Sequence, residues 1–282
     1  MRLALLQLAP VLRDPPANAA RIAAAAREAG ADLLLTPELS LTGYDLGDDA
    51  ALLAAPVHPG EPAAFAPALA DAGDVVVGLP ELGDDGVVYN AAAHIRAGRV
   101  LFRHRKRYLP TYGMFDEMRW FGRGTRLDAY DAGDGWRVGL LVCEDFWHPA
   151  LAYLLAVRGI NLLLVAAAPP GRGVLQAEGD ALFASAAVWE RMARTTAQLY
   201  GIYVGMAMRV GVEGGSTFAG GSVIVGPGGE LLARAPQGEE ASIAAELSLA
   251  ELARSRRPYA HVRDEEPAWT LRELARALEA TS

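Results

Sequence analysis

Three short apolar runs limit what this chain can fold into. Leu33-Leu34-Leu35, Val138-Gly139-Leu140-Leu141-Val142 and Leu162-Leu163-Leu164-Val165 alternate with no polar residue and are too short for buried helices. Such runs read as strands enclosed on both faces, so the sheet that holds them needs further layers around it. Around these runs the pattern changes along the chain. A strand over 3–8 is followed by a helix over 16–29, where Ile22 stands on an alanine-rich face and Gly30 comes just past the end. A strand over 32–36 stops at Pro37. Helical stretches at 48–54 and 61–72 precede a strand at 74–79, and Ala97-Gly98 separates strands 87–95 and 99–104 as a hairpin. Strands at 128–131 and 136–142, a helix at 149–158, a strand at 161–165 and a long helix at 179–199 come next. Strands at 202–209, 217–225, 231–235 and 240–246 then run consecutively. Early alternation and late consecutive strands predict an α/β (α+β) architecture, a mixed sheet layered with helices. No linker-like boundary and no repeat of fixed period interrupts it, so one domain is expected over 1–282. Its core would be 1–246, with a tail over 247–282 that ends in an amphipathic helix near 268–280.

Composition removes several classes of function. With 52% hydrophobic and 21% charged residues the chain can bury a sizeable core, which predicts a soluble globular protein. A net charge of −8 argues against nucleic acid as the main partner, because a phosphate backbone calls for concentrated Lys and Arg. No apolar stretch reaches the length of a membrane span, and the start turns polar at Gln7 and meets Pro10 too early for a signal peptide. The single cysteine, Cys143, has no internal disulfide partner and fits a reducing cytoplasm. There is no G-x-S-x-G elbow, no phosphate-binding G-x-x-x-x-G-K-[ST] loop and no G-x-G-x-x-G fingerprint. The five histidines show no metal-ligand spacing, so neither a metal nor a nucleotide cofactor is expected.

What remains is a set of strand ends. Of 26 Lys and Arg residues only Lys106 is a lysine, which asks for a local reason in an arginine-biased chain. Arginine supplies charge equally well, but not a compact ammonium on a slim stem. Lys106 follows the strand Val100-Leu101-Phe102-Arg103, where a solvated basic edge that discourages sheet pairing is the plainer alternative. Glu38 stands just beyond Leu33-Leu34-Leu35. Burial at a strand mouth would raise its pKa toward general-base work, although an ordinary turn acid is equally consistent. Cys143 ends its apolar run and is followed by Glu144-Asp145-Phe146-Trp147-His148-Pro149. A free thiol is more often a core residue. The abrupt switch to an acidic, aromatic turn, however, places the sulfur at a strand-to-helix elbow, where a nucleophile can meet backbone N–H groups. The roughly twenty-residue loop over 105–125 mixes aromatics with charge, as functional loops do.

Together these residues resemble the three sequence blocks of the nitrilase (carbon–nitrogen hydrolase) superfamily. The matching segments are Pro37-Glu38 with Gly43-Tyr44, Arg105-Lys106-x2-Leu109-Pro110-x4-Phe115-x-Glu117, and Val142-Cys143-Glu144-Asp145. The likeness runs from residue 1 to about 246. Leu109 to Glu117 and Cys143-Glu144-Asp145-x-Trp147 are most similar to the glutamine-hydrolysing domain of glutamine-dependent NAD synthetases, as is the tail motif Arg257-Pro258-x4-Arg263-Asp264-Glu265. The resemblance implies a four-layer α-β-β-α sandwich, assembled as a homodimer or larger homo-oligomer. It also implies a thiol-dependent hydrolase that splits a small amide through a thioester. Cys143 would be the nucleophile and Glu38 the general base. Lys106 and the Glu144 amide would stabilise the oxyanion, and Glu117 would hold the lysine. Tyr44, Tyr112, Phe115 and Trp147 are candidate pocket residues.

Specificity rests on fewer residues. For glutamine, Glu144 would meet the ammonium and Arg172 the carboxylate, because buried charge without a partner is costly. The glutaminase domains carry a serine-rich turn where this chain reads Ala166-Ala167-Ala168-Pro169-Pro170-Gly171-Arg172-Gly173, which favours a less polar amide. The first expectation is therefore an amidase acting on a small aliphatic or N-carbamoyl amide. The alternative is a glutaminase subunit that feeds ammonia to a separate synthetase partner. Nitrile hydrolysis and a catalytically silent oligomeric scaffold follow at a distance.

Overall fold

The computed structural model describes residues 1–176, 181–258 and 261–280. Two six-stranded mixed sheets form its centre. The first contains β1 (Arg2–Gln7), β2 (Leu33–Leu35), β3 (Asp74–Leu82), β4 (Val88–Arg96), β5 (Arg99–Arg105) and β16 (Ala241–Glu246), in the order β16-β1-β2-β3-β4-β5. The second contains β6 (Ala129–Asp131), β7 (Arg137–Val142), β8 (Leu162–Ala167), β11 (Tyr203–Met208), β14 (Val223–Val225) and β15 (Leu231–Arg234), in the order β15-β14-β11-β8-β7-β6. Each sheet has three parallel strands at its heart, β1-β2-β3 and β7-β8-β11, with antiparallel strands on either side. The three apolar runs of the sequence supply β2, β7 and β8. Ligands of parallel sheets collect beyond the carboxyl ends of such strands, and that is where Glu38 and Cys143 lie.

Side-chain alternation assigns the faces. Leu3, Leu5, Leu33, Leu35 and Val76 share one core with Leu140 and Leu164 of the second sheet. A Cβ on Gly205 would come within 2.8 Å of Leu3, so β11 packs directly on β1. The opposite face of the first sheet (Ala4, Leu34, Val75, Val77) packs on Ile22 and Ala23 of α1 (Pro15–Ala29). The opposite face of the second sheet meets α3 (Pro149–Val157), because a Cβ on Gly139 would touch Leu155, and α4 (Ala184–Tyr200), whose Trp189, Ala193 and Ala197 are buried. The layers therefore run α-β-β-α. Helix α1 carries its own start and stop signals. The Asp14 carboxylate accepts the Ala17 amide at 3.0 Å, Pro15 and Pro16 open the first turn, and Gly30 closes it at φ +53°. A short α2 (Asp49–Leu53) flanks the site, while α5 (Leu249–Arg256) and α6 (Pro267–Glu279) make the tail.

Four elements differ from the sequence expectation by more than two residues. The helix expected over 61–72 is only a 3₁₀ turn at Ala66–Leu69, because Pro62 and Pro67 lack the N–H groups an α-helix needs. The long helix begins at Ala184 instead of 179. Ala181–Phe183 is strand β10, paired with β9 (Val174–Gln176), and 179–180 lie outside the described residues. The strand expected over 217–225 divides at Gly220-Gly221, both at positive φ, into β13 (Ser216–Ala219) and β14; β13 pairs with β12 (Val210–Glu213). Strand β3 runs past 79 through Pro80 to Leu82. Its partner β2 has already ended there, so the missing proline N–H interrupts no ladder.

Candidate active site

Glu38 reaches the site because the chain after β2 turns flat against β3. Thr36 donates its amide and its hydroxyl to the Val76 carbonyl, and Ser40 Oγ accepts the Gly78 amide. A Cβ on Gly78 would sit 2.4 Å from the Leu39 nitrogen and 2.5 Å from the Pro37 oxygen, so this close approach requires glycine. Lys106 follows the last residue of β5. Its amide donates to the Asn90 carbonyl and its own carbonyl accepts the Gly124 amide, which brings the loop back over it. Gly124 is the second required glycine, since a Cβ there would come within 2.1 Å of the Arg105 oxygen. Sealed in this way, the Lys106 side chain is 0% exposed.

The buried ammonium lies between two carboxylates. Lys106 Nζ donates to Glu38 Oε1 at 2.7 Å and to Glu117 Oε1 at 2.7 Å. Asn90 Nδ2 adds a donor to Glu38 Oε1 at 2.8 Å, and the Tyr44 hydroxyl donates to Glu117 Oε1. Glu38 Oε2 and Glu117 Oε2 are buried without a protein partner. Burial alone would lower the Lys106 pKa, but Glu117 and Glu38 outweigh it and hold the group well above its ordinary value, as an ammonium. Burial, reinforced by Glu38 and opposed by Lys106, pushes the Glu117 carboxyl up to about 7. Burial, with Glu117 and Glu38 behind it, keeps Tyr44 protonated and therefore a donor.

Cys143 opens a 3₁₀ turn (Cys143–Trp147) at the end of β7 with φ +45°, a left-handed conformation that L residues rarely adopt. Burial and then the Glu38 charge raise its thiol well above the usual value, while Lys106 and a hydrogen bond from the Ala168 backbone act in the other direction. The thiol thus stands within the electrostatic field of Glu38, Lys106 and Glu117. Asp145, fully buried, ties the turn that Cys143 opens to the segment that carries Lys106. Its carboxylate accepts the Arg107 and Tyr108 amides at 2.9 Å each, His104 Nε2 at 2.8 Å and the Val142 amide at 3.3 Å. Asp145→Ala strands these donors and is expected to lower stability by about 3 kcal/mol or more, read as a clear fall in Tm; an unchanged Tm would show the tie to be dispensable.

The structure brings Glu38, Lys106, Glu117 and Tyr44 into direct contact. Phe115 stands edge-on to both Tyr44 and Tyr112, with centroids 6.1 and 5.8 Å away, and the Tyr112 hydroxyl donates to Glu144 Oε2 at 2.8 Å. Arg172 is exposed, its guanidinium lying against Gly113 of the same aromatic loop. The Trp147 ring packs edge-on against Trp189 of α4 at 5.6 Å. A cavity of about 280 Å³ adjoins Glu117, walled by Tyr44, Phe115, Trp120, Glu213 and Phe218. Sequence reasoning missed Asn90, the tie made by Asp145, and a buried Arg209–Glu213 pair. Asn90 left one usable signal, a lone amide inside the apolar strand Tyr89-Asn90-Ala91-Ala92-Ala93.

The sandwich and its strand-end cluster agree with a family model. Residues 2–257 match the carbon-nitrogen hydrolase family, and the chain belongs to that family. Among curated relatives, the glutamine-dependent NAD(+) synthetase of Rhodobacter capsulatus is 35% identical over 254 residues, covering 87% of this chain and 43% of that protein. The chain thus spans less than half the length of such relatives. Among solved structures, the glutamine-dependent NAD+ synthetase of Acinetobacter baumannii superposes with a TM-score of 0.77 at 25% identity over 89% of this chain and 46% of that one. The amidase of Nesterenkonia sp. AN1, solved with acrylamide, superposes with a TM-score of 0.76 at 27% identity, covering 96% of both chains.

Proposed function

We propose that this carbon–nitrogen hydrolase is an amidase that cleaves a small amide through a thioester on Cys143. The observation that carries this reading is the sealed carboxylate–ammonium–carboxylate cluster of Glu38, Lys106 and Glu117 beside the chain's only thiol. Glu38 has a buried oxygen with no protein partner, as a general base needs. It takes the proton of the Cys143 thiol as the sulfur attacks the amide carbon, and the carbonyl electron pair moves onto oxygen. Lys106 and the Glu144 amide receive that oxyanion. Collapse of the adduct breaks the C–N bond, and the amine leaves with the proton held by Glu38. Water then gives a proton to Glu38 and attacks the thioester, and the released sulfur recovers a proton as the acid departs. Glu117 keeps Lys106 in place throughout.

Two observations favour a compact, weakly polar amide. Ala166, Ala167 and Ala168 at and just past the end of β8 are fully buried and carry no side-chain donor, and Ala168 meets the Cys143 sulfur through its backbone. The match to the Nesterenkonia amidase also covers 96% of both chains. Similarity to the synthetases supports a second reading, a glutaminase that supplies ammonia. Incubation with a panel of aliphatic amides, N-carbamoyl compounds and glutamine, followed by mass spectrometry, is expected to trap an acyl group on Cys143 with a short aliphatic amide. An adduct from glutamine alone would establish the second reading, and no adduct from any member would overturn both.

A further inference from the structure

Beyond the strand ends, a second buried ion pair touches the site from the side. Arg209 follows β11, its side chain only 1% exposed, with the guanidinium 4.6 Å from the centroid of Phe218. Its Nη2 donates to Glu213 Oε2 at 2.6 Å. The other oxygen, Glu213 Oε1, accepts two successive backbone amides, Tyr44 at 2.6 Å and Asp45 at 2.7 Å. The Tyr44 ring leans on Phe218 at 5.8 Å and presents its hydroxyl to Glu117 Oε1. An unbroken run of contacts therefore leads from the β12–β13 hairpin through the loop after β2 to the carboxylate that grips Lys106. A neutral acceptor would suffice to staple a loop. A buried carboxylate with its own arginine is a costly device for that purpose alone, yet it fixes two amides and one ring with little freedom.

We propose that Glu213, charge-balanced by Arg209, is a positioning residue that acts through Tyr44 to hold the Glu117 carboxylate against Lys106. The proposal rests on the amidase reading of the site. Glu117 is faced by Lys106 and Glu38 from the ends of β5 and β2, by Tyr44 from the following loop, and by the Cys143 thiol from the end of β7. Asp45, Asp116 and Glu213 line the adjoining cavity. The Tyr44 hydrogen bond favours ionised Glu117, so its loss drives the Glu117 pKa upward from about 7. Ionised Glu117 in turn raises the thiol pKa, so the reactivity of Cys143 registers the state of Glu117.

The test needs no substrate, because Cys143 is the only cysteine. The rate of its alkylation by iodoacetamide is followed from pH 5 to 10 in the wild type, Glu213→Ala, Tyr44→Phe and the double variant, with Tm measured alongside. The wild-type profile is expected to bend near pH 7. Glu213→Ala and Tyr44→Phe each move that bend to higher pH by about one unit, and the double variant moves it no further. If Glu213→Ala does not fold, Glu213→Asp keeps the charge beside Arg209 but withdraws the oxygen from the two amides, and gives the same displacement. A folded Glu213 variant with a lower Tm and an unmoved bend overturns the clamp alone, as does a double variant whose displacement is the sum of the two. A wild-type cysteine that iodoacetamide never modifies overturns the nucleophile, and the clamp with it.

Discussion

Cys143→Ala is expected to lower kcat/KM by about 10,000-fold or more while the protein still folds. The change removes one sulfur atom at a position where alanine meets the same left-handed backbone as cysteine, at φ +45°. It also removes a buried thiol that burial and Glu38 already hold away from its charged form, so no stabilising charge is lost. Tm should therefore stay close to the wild-type value, and the whole loss should appear in turnover. Initial rates on the amide that acylates the wild type, with thermal melts on both proteins, check this. Substantial residual turnover would mean that water attacks the amide directly and that the thioester route is wrong.

The second large effect is expected at Lys106→Arg, a substitution that conserves charge. The lysine nitrogen is a single point lying 2.7 Å from each of two carboxylate oxygens, in a side chain with no exposure at all. A guanidinium spreads its donors over a plane and needs volume that the loop sealed by Gly124 does not offer. It would push Glu38 and Glu117 apart and misplace the donor that the proposed mechanism assigns to the oxyanion. The expected loss is about 100- to 1,000-fold in kcat, the range for an oxyanion donor that is removed, with a smaller change in KM. A near-native kcat would show that any cation serves there and that the lone lysine is incidental.

Much of this site was legible as residue types at strand ends. Glu38 and Cys143 follow apolar strands and Lys106 a strand with an apolar centre, and a strand that stops at a reactive residue leaves that residue at the sheet's mouth. The sequence pattern also indicated a mixed sheet layered with helices, because strands alternate with helices early in the chain and run consecutively later. The family resemblance added Glu117, whose buried contact with Lys106 crosses eleven residues of irregular loop. Asn90 and Asp145 escaped because their meaning lies in contacts 52 and 38 residues away in the chain, with no local spacing to mark them. Arg209 and Glu213 escaped for another reason. Four residues apart near a turn, they look like a surface ion pair, and only the packing of the hairpin under Tyr44 buries them. Trp147, four residues after Cys143, packs edge-on against Trp189 of α4, a contact that local spacing does not reveal. The helix misread over 61–72 shows that apolar spacing yields to proline whenever both occupy one turn.

The enclosure of Lys106 has a consequence for the surface as well as for catalysis. Every other basic side chain of Lys or Arg type is an arginine, so the folded molecule offers no ε-amine to acylating reagents, amine cross-linkers or lysine-conjugating enzymes. Only when the loop over it comes undone does one appear. Labelling of that single ε-amine, read apart from the α-amine of Met1, would then distinguish intact molecules from opened ones in the same mixture.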